Sequence, residues 1–355
     1  MPQLITPADY LQKYTCLPLL DVRSPGEFTH AHIPGARNVP LFSDDERAQV
    51  GTTYKQQGRE QAVKMGLDFV SPRMNEMVTE VQKTITGKAV VVHCARGGMR
   101  SRSFAMLLEF FGYTVFLLDG GYKAFKKHIR DQAQKGYFIV LIGSKTGSGK
   151  TKILQSLAAL GEQVIDLEKI AHHRGSAFGA LGLPPQPSQE QFIVNCLTQL
   201  ARLNPEHPVW VEHEACRLGT VSIPQELWLL MQDAPVAYIE VPYAYRIQHL
   251  MSEYGHFSPE ELSLCIEKLH KQLGGADTQK VMKALELHDR EAVVKILLEH
   301  YDRAYEHCMQ RNTHNKFYPI SLTGTDSVAH AHELISFLPS LQQAHVRTRQ
   351  TSERI

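Results

Sequence analysis

The sequence predicts an α/β protein of two domains, each built on a parallel sheet, and three observations lead to that fold class. The length of 355 residues is typical of about two domains. Short apolar runs alternate with helical stretches in both halves of the chain, which is the pattern of parallel strands joined by helices. Two of these runs, ending at His93 and Ile142, lead into glycine-rich loops that are followed by helices.

The first predicted domain covers residues 1–131, and its segments follow from local sequence patterns. Apolar runs predict strands at 18–22, 89–93 and 114–118. The polar stretch 44–87 predicts helices that break at Ser71-Pro72. A further helix is expected over 101–111, and the charged stretch 126–136 is expected to link the two domains.

The second predicted domain covers residues 137–340. Strands are expected at 137–142, 164–167, 209–212, 236–241 and 317–322, with helices between them, among them 190–203 and 289–311. This repeated strand–helix pattern indicates a doubly wound parallel sheet, and the segment SKTGSGKT at 144–151 makes that sheet P-loop NTPase-like. The last residues, 341–355, are predicted to form a polar tail beyond the folded domain.

Composition excludes several classes of protein. Apolar residues make up 43% and charged residues 21%, which is ordinary for folded proteins and excludes disorder as the main state. No apolar run is long enough to span a membrane, and the N-terminus lacks the pattern of a signal peptide. The six cysteines lie far apart and form no Cys-x-x-Cys pair, so a reduced, cytoplasmic location is expected.

Positive charge is concentrated in one part of the chain. Between Arg96 and Lys152 there are 11 Lys and Arg against 3 Asp and Glu, whereas the whole chain carries only +1. Such a stretch favours a polyanionic partner, although a solvated helix face would show the same charge. The candidates for nucleic-acid contacts are Lys123, Lys126, Lys127, Arg130 and, from the segment 172–175, Arg174.

One candidate site is the loop from His93 to Ser101, which reads HCARGGMRS. Its cysteine, Cys94, lies where a buried strand is predicted to end and a helix is predicted to follow. Loop amides and the positive helix N-terminus would stabilise a thiolate or a bound anion, and Arg96 and Arg100 would add positive charge. These features predict that Cys94 is a nucleophile, whereas the other five cysteines lack this setting and are expected to be structural.

The second candidate site is a P-loop, because residues 144–151 read SKTGSGKT between a predicted strand and a predicted helix. The segment departs from the GxxxxGK[ST] pattern at one position, where Ser144 replaces the first glycine. The pattern predicts a site for a di- or triphosphate, with Mg²⁺ as a candidate ligand of the Thr151 hydroxyl. The residues expected to hold the phosphates are Gly147, Ser148, Gly149, Lys150 and Thr151.

Acidic residues at the ends of neighbouring strands complete the second site. Asp166 and Glu168 fall at the end of one expected strand and Glu212 at the end of another, and acids there face the phosphate site in P-loop folds, with Asp166 and Glu212 as the leading candidates. Capping or solvated positions are the alternative interpretation. A metal site at His213 and Cys216 is not expected, because no second pair lies at ligand spacing.

The motifs of both halves resemble known families. The N-terminal half is similar to rhodanese domains, with DVRSPGEF at 21–28, HIPGARN at 32–38, the loop cysteine Cys94 and the closing turn DGGY at 119–122. Fused to a P-loop domain, it resembles the bacterial tRNA 2-selenouridine synthases over about residues 4–340. The same resemblance extends to CARGGMRS at 94–101, DLE at 166–168, HRGSAFG at 173–179, and Glu212, Glu214 and Arg217, with a departure at Ala215-Cys216.

This resemblance implies an enzyme that replaces the sulfur of a wobble 2-thiouridine in tRNA with selenium. In that family, geranyl diphosphate is thought to alkylate the sulfur first, after which selenophosphate supplies selenium and the geranylthio group leaves. Cys94 would handle selenium, Arg96 and Arg100 would hold selenophosphate, and the P-loop would hold the diphosphate. Both donors are co-substrates, no tightly bound cofactor is expected, and the expected partners are the tRNA and an enzyme that produces selenophosphate.

Three other functions agree with the same motifs. The pattern from His93 to Arg100 also matches the cysteine phosphatase signature HCx5R, and the rhodanese fold is shared with one phosphatase family. A P-loop kinase with a regulatory rhodanese domain is the second alternative, and a non-catalytic RNA-binding sulfur carrier is the third. The sequence leaves open the set of tRNAs, the length of the prenyl donor, the oligomeric state and the domain that hosts alkylation.

Overall fold

The computed structural model of the protein describes residues 2–311, 315–322 and 326–352. These residues form two compact units. The first unit runs to Gln134 and also includes Glu190–Arg202, and the second unit takes up Lys135–Gln189 and the residues from Leu203 onward. The segment Glu190–Arg202, which the sequence assigns to the second domain, therefore packs with the first unit.

The first 134 residues alternate between short strands and helices. In chain order the elements are β1 (Gln3–Ile5), α1 (Pro7–Asp9), a π-helical turn (Tyr10–Tyr14), β2 (Leu19–Asp21), α2 (Pro25–His30), β3 (Ala36–Asn38), α3 (Asp44–Gln57), α4 (Arg59–Val70), a 3-10 turn (Ser71–Arg73), α5 (Met74–Thr84), β4 (Ala89–His93), α6 (Met99–Phe110), β5 (Thr114–Leu118) and α7 (Gly121–Ala133). The strands form one parallel sheet in the order β1-β5-β4-β2-β3. The three strands predicted here and the break at Ser71-Pro72 are confirmed.

The sheet of the first unit is covered on both faces at the strand that leads to Cys94. In β4, every side chain from Val90 to His93 is buried, and successive side chains of a strand point to opposite faces. Parallel strands covered in this way are typical of α/β sheets. Strand β4 lies between β5 and β2, so the residue that follows it is held at the centre of the sheet.

Helix α7 occupies most of the stretch that the sequence predicts to be a linker. The helix continues to Ala133 because Phe125, Ile129 and Ala133 recur at four-residue spacing and are all buried. The charged residues of 126–131 lie between them on the more exposed part of the helix. The prediction of a linker over 126–136 is therefore wrong, since an apolar stripe beneath the charges anchors this segment to the first unit.

The rest of the chain also alternates between strands and helices. In chain order the elements are β6 (Ile139–Ser144), α8 (Lys150–Ala159), β7 (Gln163–Ile165), α9 (Leu167–Ala171), α10 (Gln189–Ala201), β8 (Val209–Glu212), β9 (Arg217–Leu218), β10 (Val221–Ser222), α11 (Gln225–Gln232), β11 (Val236–Glu240), α12 (Tyr243–Tyr254), α13 (Pro259–Leu273), α14 (Gly275–Glu286), α15 (Arg290–Arg311), β12 (Phe317–Ser321) and α16 (Ser327–Ser352). The five strands predicted for this domain are confirmed, with ends shifted by at most two residues.

The sheet of the second unit reverses its strand order at β6. Strands β8 and β7 lie on one side of β6, and β11 and β12 lie on the other, all of them parallel. Such a reversal opens a crevice at the carboxyl ends of the strands, where α/β proteins bind ligands. The P-loop follows β6 directly and therefore lies at this crevice.

Between β11 and β12 the chain forms four helices, of which the sequence predicts only the last. Helix α13 begins at a capping box, in which the Ser258 and Glu261 side chains bond each other's backbone amides. The helices share an apolar cluster that includes Leu262, Ile266, Leu269, Val281, Leu285, Val293 and Leu297. This cluster stabilises the helices α12 to α15 as one layer beside the P-loop.

The polar tail predicted at 341–355 is helical as far as Ser352, and its first residue, Leu341, belongs to the core of the second unit. Helix α16 continues to Ser352, and its residues Leu334 and Leu341 are fully buried in the cluster that also contains strand side chains of the second sheet. Residues 353–355 lie outside the described part of the chain. Neither α16 nor any other helix in the described ranges is long and apolar enough to cross a membrane.

Candidate functional site

The thiol of Cys94 lies directly after β4 and is almost completely buried, with 3% of the residue exposed. Its Sγ is 3.3 Å from the Oγ of Ser101 on α6. Burial raises the pKa of the thiol, but hydrogen bonds from the Ser101 hydroxyl and from the backbone amides of Arg96 and Ser101, with the charge of Arg100, outweigh it. The pKa of Cys94 is therefore lowered, whereas burial raises the pKa of Cys265, which lacks these donors.

The turn at the start of α7 supports this loop from the other side. The amide of Tyr122 donates to the Cys94 carbonyl at 2.9 Å, and the amide of Lys123 donates to the Ala95 carbonyl at 3.0 Å. Gly121 has a φ of +59°, and a Cβ at this position would lie 2.2 Å from the Cys94 carbonyl oxygen. The close approach requires glycine, and it leaves the loop carbonyls bonded to α7 so that loop amides face the sulfur.

The two arginines predicted to hold an anion have different surroundings. Arg100 forms an ion pair with Glu27, with Nη1 2.6 Å from Oε2, and Arg47 lies 3.6 Å from the same carboxylate. The side chain of Arg96 is exposed, and its backbone amide is the group that bonds the Cys94 sulfur. Anion binding by the two guanidinium groups stays a prediction, and Glu27 is a contact of Arg100 that the sequence did not reveal.

The P-loop has the backbone conformation that its glycines predict. Gly147 and Gly149 have φ values of +80° and +77°, which favour glycine, and Gly149 precedes the first residue of α8. Ser144 is the fully buried last residue of β6, and its φ is not positive. A serine therefore fits at this position, and the departure from the usual P-loop pattern does not disturb the loop.

Two carboxyl groups lie beside the P-loop residues Lys150 and Thr151. The Thr151 hydroxyl donates to Oε2 of Glu168 at 3.0 Å, and Nζ of Lys150 is 3.9 Å from Oε1 of Glu214. Burial and the charge of Glu214 raise the pKa of Glu168, and burial raises the pKa of Glu214 against the effect of Lys150. A carboxyl group with a raised pKa can carry a proton and then does not repel a bound diphosphate.

Two of the acids predicted for this site, Asp166 and Glu212, are engaged by backbone amides. Oδ1 of Asp166 accepts from the amide of Lys169 at 2.8 Å and caps α9, although the residue also reaches the cavity wall. Glu212 is fully buried and accepts from the amide of Leu167 at 2.8 Å. The third predicted acid, Glu168, reaches Thr151 from the first turn of α9, and Glu214 approaches Lys150 from two positions beyond Glu212.

A cavity of about 850 Å³ extends from the P-loop within the second unit. One end contains Lys150, Thr151, Glu168 and Glu214. The other walls are mostly apolar and come from α11, α12 and α15, through Trp228, Met231, Leu250, Met251, Val293, Val294, Leu297 and Leu298. The cavity therefore suits a molecule with a phosphate group at one end and a hydrocarbon chain behind it.

Two further polar side chains line this cavity. Burial and the charge of Lys150 lower the pKa of His213 to about 4, so its ring is neutral at physiological pH. Arg174 donates to the Leu181 carbonyl at 2.9 Å and lies 5.8 Å from the ring centre of Tyr254. Arg174, predicted as a nucleic-acid contact on the surface, is thus a half-buried residue of the cavity wall.

The basic residues predicted to contact nucleic acid on α7 are partly paired. Lys126 forms an ion pair with Glu190, and Lys127 forms one with Asp131. The side chain of Lys123 is exposed and that of Arg130 is half-buried. A role for this helix in nucleic-acid binding stays a prediction, and the two ion pairs reduce the charge that it offers.

The structure leaves Mg²⁺ as a prediction. Thr151 and Glu168 present adjacent oxygen atoms, which are the donors that Mg²⁺ prefers. Across the residues that the structure describes, no group of three or more His, Cys, Asp or Glu side chains is arranged to hold a metal ion. An Mg²⁺ ion would therefore take further ligands from the bound diphosphate.

Comparison with known proteins agrees with this architecture. A family model for the AAA domain of tRNA 2-selenouridine synthase matches residues 137–330, and a rhodanese-like domain model matches residues 6–128. The chain is 31% identical over 332 residues to the tRNA 2-selenouridine synthase of Hydrogenovibrio crunogenus, covering 83% of this chain and 90% of that protein. The chain belongs to the tRNA 2-selenouridine synthase family.

Two further proteins of the tRNA 2-selenouridine synthase family match a shorter part of the chain. The one from Nitrosomonas europaea is 36% identical over 245 residues, which cover 67% of this chain and 63% of that protein. The one from Bdellovibrio bacteriovorus is 38% identical over 248 residues, covering 67% and 64%. The chain thus matches just under two thirds of the length of these two relatives. The predicted family and the two-domain α/β fold are confirmed.

Proposed function

We propose that this protein replaces the sulfur of wobble 2-thiouridine in tRNA with selenium, in two steps. In the first step, the sulfur attacks C1 of geranyl diphosphate, the bond from C1 to the diphosphate oxygen breaks, and the base releases its N3 proton. In the second step, the selenium of selenophosphate attacks C2, the bond from C2 to the geranylthio sulfur breaks and geranylthiol leaves with a proton, while water cleaves the P–Se bond and releases phosphate. Membership of the tRNA 2-selenouridine synthase family supports the overall reaction.

The observation that carries the first step is the continuity between the P-loop and the apolar part of the cavity. Val294, Leu297 and Leu298 offer a hydrocarbon chain an apolar surface, and each buried methylene group contributes about 0.8 kcal/mol. The cavity also has polar side chains in its wall, among them Gln155, Gln232 and Asn315, but most of its lining is apolar. The apolar surface is the reason to take a prenyl diphosphate as the ligand rather than the nucleotide that a kinase would bind.

The P-loop residues also suit the departure of diphosphate. The amides that precede α8 and the charge of Lys150 lie where negative charge grows on the leaving group, so they stabilise the transition state. Glu168 and Glu214, whose pKa values are raised, can be protonated and hydrogen-bond the diphosphate rather than repel it. We therefore place the alkylation step in the second unit.

The second step is assigned to the first unit. The lowered pKa of Cys94 increases the fraction of this thiol that is ionised at a given pH, and the thiolate is the nucleophilic form. The amides around the sulfur and the nearby Arg100 would hold the phosphate part of selenophosphate. An enzyme that produces selenophosphate is the proposed source of this donor.

Contacts to the tRNA backbone are proposed for the basic helix α7. Lys123 is exposed there, and Lys126 and Lys127 can exchange their carboxylate partners for phosphates. Binding of this kind weakens as salt rises, because phosphate contacts release counterions from the nucleic acid.

The deciding experiment combines the protein with tRNA that contains 2-thiouridine and analyses the nucleosides by mass spectrometry. Geranyl diphosphate alone should give S-geranyl-2-thiouridine, and both donors together should give 2-selenouridine. Phosphate transfer from ATP would instead support the kinase alternative. Hydrolysis of p-nitrophenyl phosphate that is lost in Cys94→Ser would support the phosphatase. Binding of tRNA without any change in its nucleosides would support the sulfur carrier.

A further inference from the structure

A buried ion pair outside the cavity contacts the backbone of the P-loop. Arg246, on α12, has only 4% of its surface exposed. Its guanidinium binds the carboxylate of Asp302, on α15, through two bonds, Nη1 to Oδ2 at 2.9 Å and Nη2 to Oδ1 at 2.6 Å. The third donor, Nε, bonds the carbonyl oxygen of Thr146 at 2.7 Å. One side chain thus joins two helices to the loop.

The Thr146 carbonyl matters because of the amide on the other side of the same peptide bond. In a planar trans peptide the C=O of one residue and the N–H of the next point in opposite directions. A bond that fixes the Thr146 carbonyl therefore also fixes the direction of the Gly147 amide. A Cβ at Gly147 would lie 3.1 Å from the Arg246 carbonyl oxygen and 3.0 Å from Leu250, so α12 packs directly on this peptide.

Helix α15 takes part in both halves of the ligand site. Asp302 on this helix holds Arg246, while Leu298 and Tyr301, one turn or less away, line the apolar cavity. Neither Arg246 nor Asp302 is among the residues that line the cavity. The pair therefore acts on a ligand only through the loop and the helices that it connects.

We propose that Arg246, held by Asp302, is a positioning residue that directs the Gly147 amide toward the diphosphate. Helix α15 thereby joins the wall that contacts the hydrocarbon chain to the loop that binds the diphosphate. This inference rests on the proposed function, because it takes the P-loop as a diphosphate site. The ion pair should therefore affect the binding of any diphosphate, with or without a prenyl chain.

A purely structural role predicts a different result from a positioning role. A buried ion pair can be replaced by apolar residues of similar size with little change in stability, because the charges no longer need to be desolvated. The double variant Arg246→Met/Asp302→Leu removes the bond to Thr146 while keeping the interior filled. Asp302→Asn is the second variant, since it weakens the hold on Arg246. Arg303→Met is the matched control, because Arg303 is the next residue on α15 and is exposed.

The test uses the full-length protein and inorganic pyrophosphate as the probe, with affinity measured by calorimetry and folding by thermal unfolding. We expect the double variant and Asp302→Asn to unfold cooperatively and to bind pyrophosphate about tenfold or more weakly. Arg303→Met should bind pyrophosphate as the unsubstituted protein does. In the alkylation assay, the KM for geranyl diphosphate should rise in the double variant by a larger factor than kcat falls.

Three outcomes would overturn the inference. Unchanged pyrophosphate affinity in a folded double variant would show that the pair does not direct the Gly147 amide. Loss of the folded state in both the double variant and Asp302→Asn would make the pair a structural element only. If the unsubstituted protein itself does not bind pyrophosphate, the diphosphate site under the proposed function fails, and this inference fails with it.

Discussion

The Cys94 loop and the P-loop share a local architecture and differ in what surrounds them. Each follows the buried strand at or near the centre of a parallel sheet and leads into the N-terminus of a helix. Around Cys94, amides at the start of α7 bond the carbonyls of the loop, and the loop encloses one reactive atom, the Cys94 sulfur. Around Lys150 the loop continues into a cavity of about 850 Å³ with apolar walls. Under the proposed function, these surroundings decide whether an anion-binding loop holds a nucleophile or a substrate.

The two sites also use charge in opposite ways. Hydrogen bonds and Arg100 outweigh burial and lower the pKa of Cys94, so the negative charge forms on the protein itself. Burial and neighbouring charge raise the pKa values of Glu168 and Glu214, so the protein can keep its own acids neutral. The positive potential of the P-loop site is thus available to a bound anion. The positive potential of the Cys94 loop instead stabilises the thiolate form of the cysteine.

The largest effect is expected from Cys94→Ala, which should abolish the formation of 2-selenouridine. The alkylation step needs no enzyme thiol, so S-geranyl-2-thiouridine should still form, and nucleoside mass spectrometry measures both products. Cys216→Ala is the control, because Cys216 is an exposed cysteine outside the loop. Selenouridine at the normal rate in Cys94→Ala would remove Cys94 from the reaction.

Lys150→Ala should produce the converse pattern. Removing one cation from the phosphate site costs about 1.5–3 kcal/mol, so affinity for geranyl diphosphate should fall by roughly 10- to 150-fold. Selenation of tRNA that already carries the geranyl group should be unchanged, because that step uses the Cys94 loop. Lys280→Ala, at an exposed lysine, serves as the control. Equal loss of both steps would mean that the two sites do not divide the reaction.

Val294→Trp separates the apolar wall from the P-loop. The larger side chain reduces the space for the hydrocarbon, so affinity for geranyl diphosphate should fall by about tenfold, equivalent to the burial of one or two methylene groups. Affinity for inorganic pyrophosphate should stay the same, and it also reports that the fold is intact. If both ligands or neither of them lose affinity, the chain does not occupy this part of the cavity.

The smallest effect is expected from Ser101→Ala. The Ser101 hydroxyl stabilises the charged form of Cys94, so its removal should raise the pKa of the thiol. Alkylation of Cys94 by iodoacetamide, followed by peptide mass spectrometry across pH, should show a midpoint at higher pH and a slower rate at neutral pH. Ser103→Ala, on the exposed side of α6, should keep the original midpoint. An unmoved midpoint in Ser101→Ala would assign the lowered pKa to the backbone amides and the charge of Arg100.

The sequence was sufficient for most of the sheet strands and for both loops. Strands such as β4 and β6 are short apolar runs between turn residues, and Cys94 and Lys150 lie in continuous motifs that need no knowledge of distant contacts. The strands β1 and β3 were missed because their sequences, QLI and ARN, are not apolar runs and most of their residues are not buried. Helix α7 was misassigned because its charged face obscured an apolar stripe that was present in the sequence.

The contacts that complete the sites come from distant parts of the chain. Glu27 meets Arg100, and Arg246 meets Thr146, although neither pair is near in sequence. A single sequence contains no information about which distant side chains will pair. The acids have the same origin: the sequence indicated Asp166, Glu168 and Glu212 together, and only the packing shows that Glu168 and Glu214 are the ones that approach Thr151 and Lys150.

Helix α10 lies within the sequence of the second unit but packs with the first unit. This arrangement restricts how the gene could have arisen by joining two separate modules. The Gln191 side chain bonds both the amide and the carbonyl of His32, and Glu190 pairs with Lys126, so this helix is part of the first unit. A recombination event that joined a new rhodanese module at Gln134 would break these bonds unless the incoming module offered the same surface. The first unit therefore cannot be exchanged for another rhodanese module without losing these contacts. The sequences of the two units are expected to have evolved together.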